Sequence, residues 1–454
     1  AAGLFLYSRL SYSSERVDLT GFFGTEDGST AVYLNNEFFD PEGEIIARTV
    51  SGTPYLRLDW LQDRAGCRLY YTAEGTLRYM YPEEIAEIFA GGTSWTCAGR
   101  TTELGHEVFF ADAAGIYVAA DAAEAFSDMT VDYYPDPDRV MVRTEWGDVT
   151  MAVCGRSTQV RMRGGRKSPI LVDMPEGAVA EILTKVDDWT QVSYGGVTGY
   201  VPSSALGPSY TETIESPGNV PAYPNISLGA PVIMIWDAIY YEQDGSSLAA
   251  LIDTAPGTNV ISPTWYAVSG ADGSFQSFSS AAYVQQAHSL GLQVWAMVDD
   301  FNAGVSREDL TAALNSSSAR QALISGIVGD VMSVGADGIN LDFENIWIYG
   351  LEDGFLAFMR EMSAECRRNG LVLSVNNFLL SGGQTHDLAE QELICDYVVM
   401  MSYDEYSRNS PEPGPVASSD WFRAGVADTV NAGVSPSKLI NGFAAFTRQW
   451  WYGS

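Results

Sequence analysis

Asp337-Gly338-Ile339-Asn340-Leu341-Asp342-Phe343-Glu344 reads as one β-strand with two unlike faces. Alternate side chains of a strand share a face, so Asn340, Asp342 and Glu344 point together while Ile339, Leu341 and Phe343 point the other way. The apolar set suits packing under helices, and the polar set suits the interior of a barrel. Polar groups turned inward are costly unless they are satisfied or used. A plain polar lining, satisfied by hydrogen bonds, is the alternative. Same-face residues two apart lie roughly 7 Å apart by Cα, close enough for their carboxyl groups to interact. Two such acids resist ionising together, so one holds a proton near neutral pH. Glu344, at the strand's C-terminal end, is the candidate proton donor.

The texture around this strand repeats. Apolar runs at 232–239, 259–268, 292–300, 371–378, 397–406 and 439–446 are further strand candidates, with helical stretches at 279–290, 318–334, 353–369 and 420–432 between them. Near-continuous apolar strands alternating with amphipathic helices predict a parallel sheet covered by helices. Seven such units over residues 231–454 fit a (β/α)8 TIM barrel better than an open sheet. Seven such strands are present in this sequence, which runs to Ser454 just past the seventh; an eighth is expected in a longer chain or is absent from an inactive one.

The N-terminal half has a different texture, so the fold class is multidomain. Residues 209–230 are a linker rich in Pro, Gly and Ser, with no hydrophobic period. Residues 156–208 predict a small all-β unit of short strands (ILVDM, AVAEILTKV, WTQVSY, TGYVPSSAL). Within it, DDWTQVSYGGVTGYVP (187–202) resembles the bacterial SH3 domain. Such modules often bind cell-wall peptides and often serve only as spacers, and both roles stay open. Residues 1–155 form an α+β region in which 54–88 and 115–150 look alike. Each opens with a strand (PYLRLDW, GIYVAAD), passes through a helix-like stretch and closes in a hairpin. The pair resembles two repeats of a bacterial stalk domain, which implies a fold and no chemistry.

Composition narrows the function classes. In 454 residues, 46% hydrophobic and 12% aromatic content is ample for two to four cores. With 58 acidic against 25 basic residues and a net charge of -33, bulk electrostatics oppose nucleic acid and anionic membranes and suit a neutral polymer. The one basic cluster, RMRGGRK (161–167), reads as a solvated loop. The cysteines lack metal-ligand spacing: Cys67, Cys97 and Cys154 hint at one bridge at most, while Cys366 and Cys395 read as buried thiols. Three scattered histidines, His106, His288 and His386, make a metal site unexpected, and no cofactor is implied. No apolar run reaches the roughly 20 residues that span a bilayer. Residues 1–7 (AAGLFLY) read equally as a first strand or as the end of a signal peptide or membrane anchor upstream of Ala1.

Against this background the motif D-G-x-N-x-D-x-E (337–344) resembles the D-x-x-D-x-D-x-E signature of family 18 glycoside hydrolases, the chitinases and N-acetylglucosaminidases. Asn340 departs from the usual aspartate, as in the branch that acts on spore and cell-wall peptidoglycan. MSYDEY (401–406) is similar to that branch's sixth-strand M-T-Y-D-E-H, with Ser402 and Tyr406 as departures. FTRQW (446–450) is similar to its seventh-strand Y-T-R-x-W, and SPTWY (262–266) to its second-strand entrance. The resemblance covers about residues 230–454.

It implies substrate-assisted retaining catalysis. Glu344 would protonate the leaving oxygen, Asp342 would orient the substrate's 2-acetamido group, and Tyr403 would hydrogen-bond the acetamido oxygen. Asn340, Asp404, Trp265 and Arg448 are implied substrate-binding residues, and Asp337 a supporting one. The implied protein is extracellular or at the cell surface. It would cleave β-1,4 bonds next to N-acetylglucosamine in peptidoglycan or chitin-like glycans, with that polysaccharide as partner and a cell-wall peptide as a further ligand of the SH3-like module. The alternative is a catalytically inactive glycan-binding or cell-surface structural protein on the same barrel, a reading that the missing eighth strand supports. The intact Glu344 and Asp342 favour the enzyme.

Overall fold

A computed structural model describes residues 11–25, 28–241, 248–379 and 387–451, so residues 1–7 and His386 lie outside the described residues. The chain divides into two compact units. The first runs to Pro221, and the second holds everything from Ala222 on, together with Thr72–Thr76 and Met80–Ala86.

The second unit is built on one parallel sheet. Its strands are β1 (Met234–Asp237), β2 (Val260–Pro263), β3 (Gln293–Asp299), β4 (Gly338–Asp342), β5 (Val372–Phe378), β6 (Tyr397–Met401) and β7 (Leu439–Gly442), hydrogen-bonded in that order. Every neighbouring pair is parallel. A short strand, Tyr266–Val268, continues past β2 and also pairs with β3. The connecting helices are α1 (Leu248–Asp253), α2 (Ala281–Ser289), α3 (Arg307–Asn315), α4 (Ser317–Val334), α5 (Glu352–Asn369), α6 (Leu388–Ile394) and α7 (Ser419–Asn431).

Local chemistry starts these helices where it should. Ser280, Ser306, Ser316, Asp387 and Ser418 each accept the backbone N–H three residues on, satisfying a donor that the first turn leaves open. Gly335 and Gly370 end the two long helices in the left-handed conformation. The predicted stretches did not include α1, α3 and α6. These are short, at six to nine residues.

The two faces of β4 behave as their alternation requires. Ile339, Leu341 and Phe343 join the helix-covered core, where the Phe343 ring lies 4.8 Å from Phe355 and 5.4 Å from Phe358. On the other face, Val260, Trp295, Val372 and Tyr397 form a separate apolar cluster, with Trp295 stacked on Tyr397 at 5.2 Å. Gly338 is needed for this packing. A Cβ there would sit 2.6 Å from the Val372 carbonyl oxygen and 3.0 Å from the Trp295 ring.

In the first unit a seven-stranded antiparallel sheet contains all four strands expected between 156 and 208: Ile170–Met174, Val179–Val186, Trp189–Tyr194 and Val197–Pro202. Thr158–Arg161 and two flanking strands complete it. Gly147–Cys154 comes from the region before, and Leu206–Ile214 reaches into the expected linker and pairs along Gly147–Cys154. The latter is mostly exposed, so it carries no hydrophobic alternation for a sequence reading to find. The strand, helix and hairpin order appears in both expected places, as Thr53–Arg57, Leu58–Ala65, Tyr70–Tyr71 and Thr76–Met80, then Gly115–Ala119, Ala120–Ala125, Thr130–Tyr134 and Arg139–Arg143.

Buried Arg139 donates to the carbonyls of Gly195 (2.7 Å), Gly196 (2.8 Å), Pro137 (2.9 Å) and Pro135 (3.2 Å), tying that last hairpin to a turn of the seven-stranded sheet. The basic cluster at 161–167 is not wholly solvated. Arg161 is 1% exposed, bonds the Ser168 carbonyl at 2.6 Å and lies over the Tyr12 ring. Cys154 donates to the Arg156 carbonyl, and Cys366 and Cys395 are buried thiols whose pKa burial pushes up.

Candidate active site

Three consecutive inward positions of β4 and its exit carry the candidate chemistry. Asn340 is fully buried and saturated. Its oxygen accepts from Trp236 Nε1 (3.0 Å) and Ser262 Oγ (3.4 Å), and its amide nitrogen donates to Ser374 Oγ and Asn376 Oδ1, both at 2.9 Å. Asn340 is therefore a structural bolt across β1, β2 and β5, and has no hydrogen-bonding capacity left for a substrate.

Asp342, one step nearer the C-terminal end, is buried, and its Oδ1 has no hydrogen-bond partner among the described residues. Burial pushes its pKa up to about 6, against the favourable amide of Asn376 beside it, and the charge of Asp299 adds to the rise. Glu344 lies two residues past the strand end and is half-buried. Burial raises its pKa to about 7, helped in order by the charges of Asp342, Asp300, Asp299 and Asp404.

The end of β3 supplies two acids that the sequence reading did not assign. Asp299 stands directly opposite Asp342 in the parallel ladder and is 1% exposed. It accepts from the backbone N–H groups of Phe301 (3.0 Å) and Asn302 (2.7 Å) and from the Asn302 amide (2.7 Å). Asp300 is 0% exposed and accepts from Glu344 N (2.9 Å) and Asn345 N (2.9 Å). A pair of acids closing the apolar run LQVWAMVDD, at the end of a strand where barrel sites are built, was the available signal.

The exits of β6 and β7 complete the cluster. Burial, then the charges of Asp342, Glu344 and Asp404, raise the pKa of the Tyr403 phenol, and its ring meets Phe446 edge-on at 6.3 Å. Asp404 sits at φ 60°, a left-handed conformation uncommon outside glycine, and pairs with Arg448. Arg448 also lines a cleft of about 720 Å³ with Phe422, Phe443, Phe446 and Trp450.

Two expected residues fall elsewhere. Trp265 is 1% exposed and packs against Tyr283 (5.4 Å) in the helix-covered core, so its ring presents no face to a ligand. Asp337 precedes β4 at its N-terminal end, the opposite end from Glu344. There it accepts from Val294 N (2.8 Å) and pairs with His288 (2.9 Å), so it aligns β3 with β4 and does not reach the site.

Burial raises the proton affinity of Asp299, Asp300, Asp342 and Glu344 together, Asp300 and Glu344 each to about 7, and Glu344 is the one of the four that lies past the exit of β4. The arrangement leaves a buried carboxylate oxygen on Asp342 for an N–H donor brought by a ligand. Among the described residues no group of three or more His, Cys, Asp or Glu side chains could hold a metal ion.

Comparison with known proteins bears on the same region. Residues 239–453 match glycosyl hydrolases family 18, and residues 157–208 match the bacterial SH3 domain. The sporulation-specific glycosylase YdhD of Bacillus subtilis is 28% identical over 156 residues, which is 33% of this chain and 36% of that protein. The chain thus matches about a third of that relative's length. Among solved structures, the chitinase of Chromobacterium violaceum is 24% identical, covering 47% of this chain and 68% of that one with a TM-score of 0.40. The spore cortex-lytic enzyme SleL of Bacillus cereus is 17% identical, covering 51% and 52% with a TM-score of 0.41. This chain carries a glycosyl hydrolases family 18 domain, preceded by a bacterial SH3 domain.

Proposed function

We propose that the second unit is a retaining glycoside hydrolase that cleaves β-1,4 bonds next to N-acetylglucosamine in peptidoglycan or chitin-like glycans. The observation that carries this reading is the unpartnered, buried Oδ1 of Asp342 beside a Glu344 that holds a proton near neutral pH. Glu344 gives its proton to the glycosidic oxygen as the bond to the anomeric carbon breaks. The carbonyl oxygen of the sugar's own 2-acetamido group attacks that carbon and forms an oxazolinium ion. Asp342 accepts the acetamide N–H and balances the developing positive charge, and Tyr403 donates to the acetamide oxygen. Water then attacks the anomeric carbon from the face that the leaving oxygen departed, gives a proton back to Glu344 and displaces the acetamido oxygen, restoring the starting configuration.

The same reading places the domain on a (β/α)8 barrel from residue 231 on. It also puts the protein at the bacterial cell wall, where the SH3-like module at 156–208 would hold it to wall peptide. Among the described residues, no helix is long and apolar enough to cross a membrane.

The test is to incubate the protein and Glu344→Gln with purified peptidoglycan and with chitin oligomers, and to identify released sugars by mass spectrometry. Fragments ending in N-acetylglucosamine from the unaltered protein alone support the hydrolase and choose its substrate. Retained binding with no release from either polymer supports the inactive glycan-binding alternative.

A further inference from the structure

Glu344 has no strand ladder beneath it, because β4 ends at Asp342. Its backbone is held instead by a side chain from 44 residues earlier in the sequence. The Asp300 carboxylate accepts from Glu344 N through Oδ1 (2.9 Å), and from Asn345 N through Oδ1 (3.2 Å) and Oδ2 (2.9 Å). The clamp is reciprocal, since the Asn345 amide donates to the Asp300 carbonyl at 3.0 Å. Asn345 makes no side-chain cap for the short helix Ile346–Tyr349 that follows, so Asp300 receives the N–H groups at this turn.

We propose that Asp300 is the positioning residue for Glu344, fixing the backbone from which the proton donor projects and facing it with a second carboxyl group. This rests on the reading of Glu344 as the acid. Asp300 touches no reacting atom; it acts through Glu344. The groups that face Glu344 are Asp342 on its own strand, Asp299 and Asp300 at the end of β3, and Asp404 past β6. Tyr403 faces Asp342, Glu344 and Asp404, and Arg448 neutralises part of Asp404 through their pair. Among the four acids only Asp300 also bonds the Glu344 backbone. It therefore sets both the place of the donor and part of its proton affinity. A small displacement of a reacting group is enough to cost turnover steeply.

The experiment compares the full chain with Asp300→Asn, Asp300→Ala and Glu344→Gln. Two quantities are read: kcat and KM on the glycan that the unaltered protein cleaves, and the titration of the Glu344 carboxyl by carbon-13 NMR, its signal assigned by loss in Glu344→Gln. In Asp300→Asn an amide N–H would face the Asn345 N–H, and the second carboxyl group is gone. We expect kcat to fall about tenfold in Asp300→Asn and about a hundredfold in Asp300→Ala, with KM within about threefold. The Glu344 titration should move down by roughly one pH unit in both.

A merely structural role would lower the active fraction without moving that titration. An unmoved Glu344 titration, or wild-type kcat in Asp300→Ala, overturns the inference. If Asp300→Ala does not fold, Asp300→Asn decides on the same two readouts. An inactive Glu344→Gln beside a fully active Asp300→Ala overturns this inference alone. Wild-type turnover in Glu344→Gln overturns the underlying assignment of the acid.

Discussion

Asn340 is an amide where the resembling signature has an acid, and its hydrogen bonds give the reason. Its Nδ2 must donate to Ser374 Oγ and Asn376 Oδ1, which an ionised carboxylate cannot do. Turning the Asn376 amide to suit an acid would take its nitrogen away from Asp342. Asn340→Asp is therefore expected to cost about 1–3 kcal/mol at pH 8, measured by denaturant melts. The loss should shrink toward pH 5, where a protonated Asp can donate.

Glu344 carries a related cost. Its folded pKa of about 7 lies above the usual 4.5, so the folded state binds more protons than the unfolded one between those values. Stability from this group is complete below about pH 4.5, falls as pH rises, and is fully lost above about pH 7. Glu344→Gln should thus be more stable than the unaltered protein at pH 8, by about 1–3 kcal/mol, and equal to it near pH 4. A variant that gains no stability at pH 8 would contradict the burial of that carboxyl. Turnover needs Asp342 ionised and Glu344 protonated. The pH–rate profile should be a narrow bell that rises through about 6 and falls through about 7.

Individual elements were legible to the extent that their pattern is local. The long helices α4 and α5 and all seven strands show their period or apolar run in the sequence; Ser316 caps the start of α4, and Gly335 and Gly370 end the two helices. Strand ends were not legible. The runs at 397–406 and 439–446 stop pairing at Met401 and Gly442, because the ladder that joins Phe378, Met401 and Gly442 has no further partners. Glu344, Tyr403 and Asp404 all lie just beyond such ends, where side chains are free of the sheet. Gly338 tests the packing of β4. Gly338→Ala should cost about 1–3 kcal/mol, because Val372 and Trp295 stand where a methyl group would go. Unchanged thermal stability in that variant would show that the two strands can part without penalty.

Across the whole molecule, charge and composition set the class of partner but not the internal joints. The first unit depends on a buried arginine whose role is invisible in sequence. Arg139→Ala leaves four carbonyls without their donor, and should lower the melting of that unit by about 2–4 kcal/mol. Calorimetry of the full chain would read this directly, and an unaltered thermogram would contradict it. Arg161 makes the same point, since a run that reads as solvated buries one of its members against a tyrosine ring.

The alternation of β4, the parallel sheet under helices, the SH3-like strands and the nearness of Asp342 to Glu344 are legible in the chain alone. Each of these follows from periods of two or 3.6 residues, or from a spacing within one strand. Only the tertiary structure brought Asp299 and Asp300 under Glu344, saturated Asn340, drew Trp265 into the core and left Asp337 at the far end of its strand. Those outcomes depend on which strands are neighbours and on the register in which they pair. Register is fixed by the whole sheet at once, so no single segment of the chain encodes it.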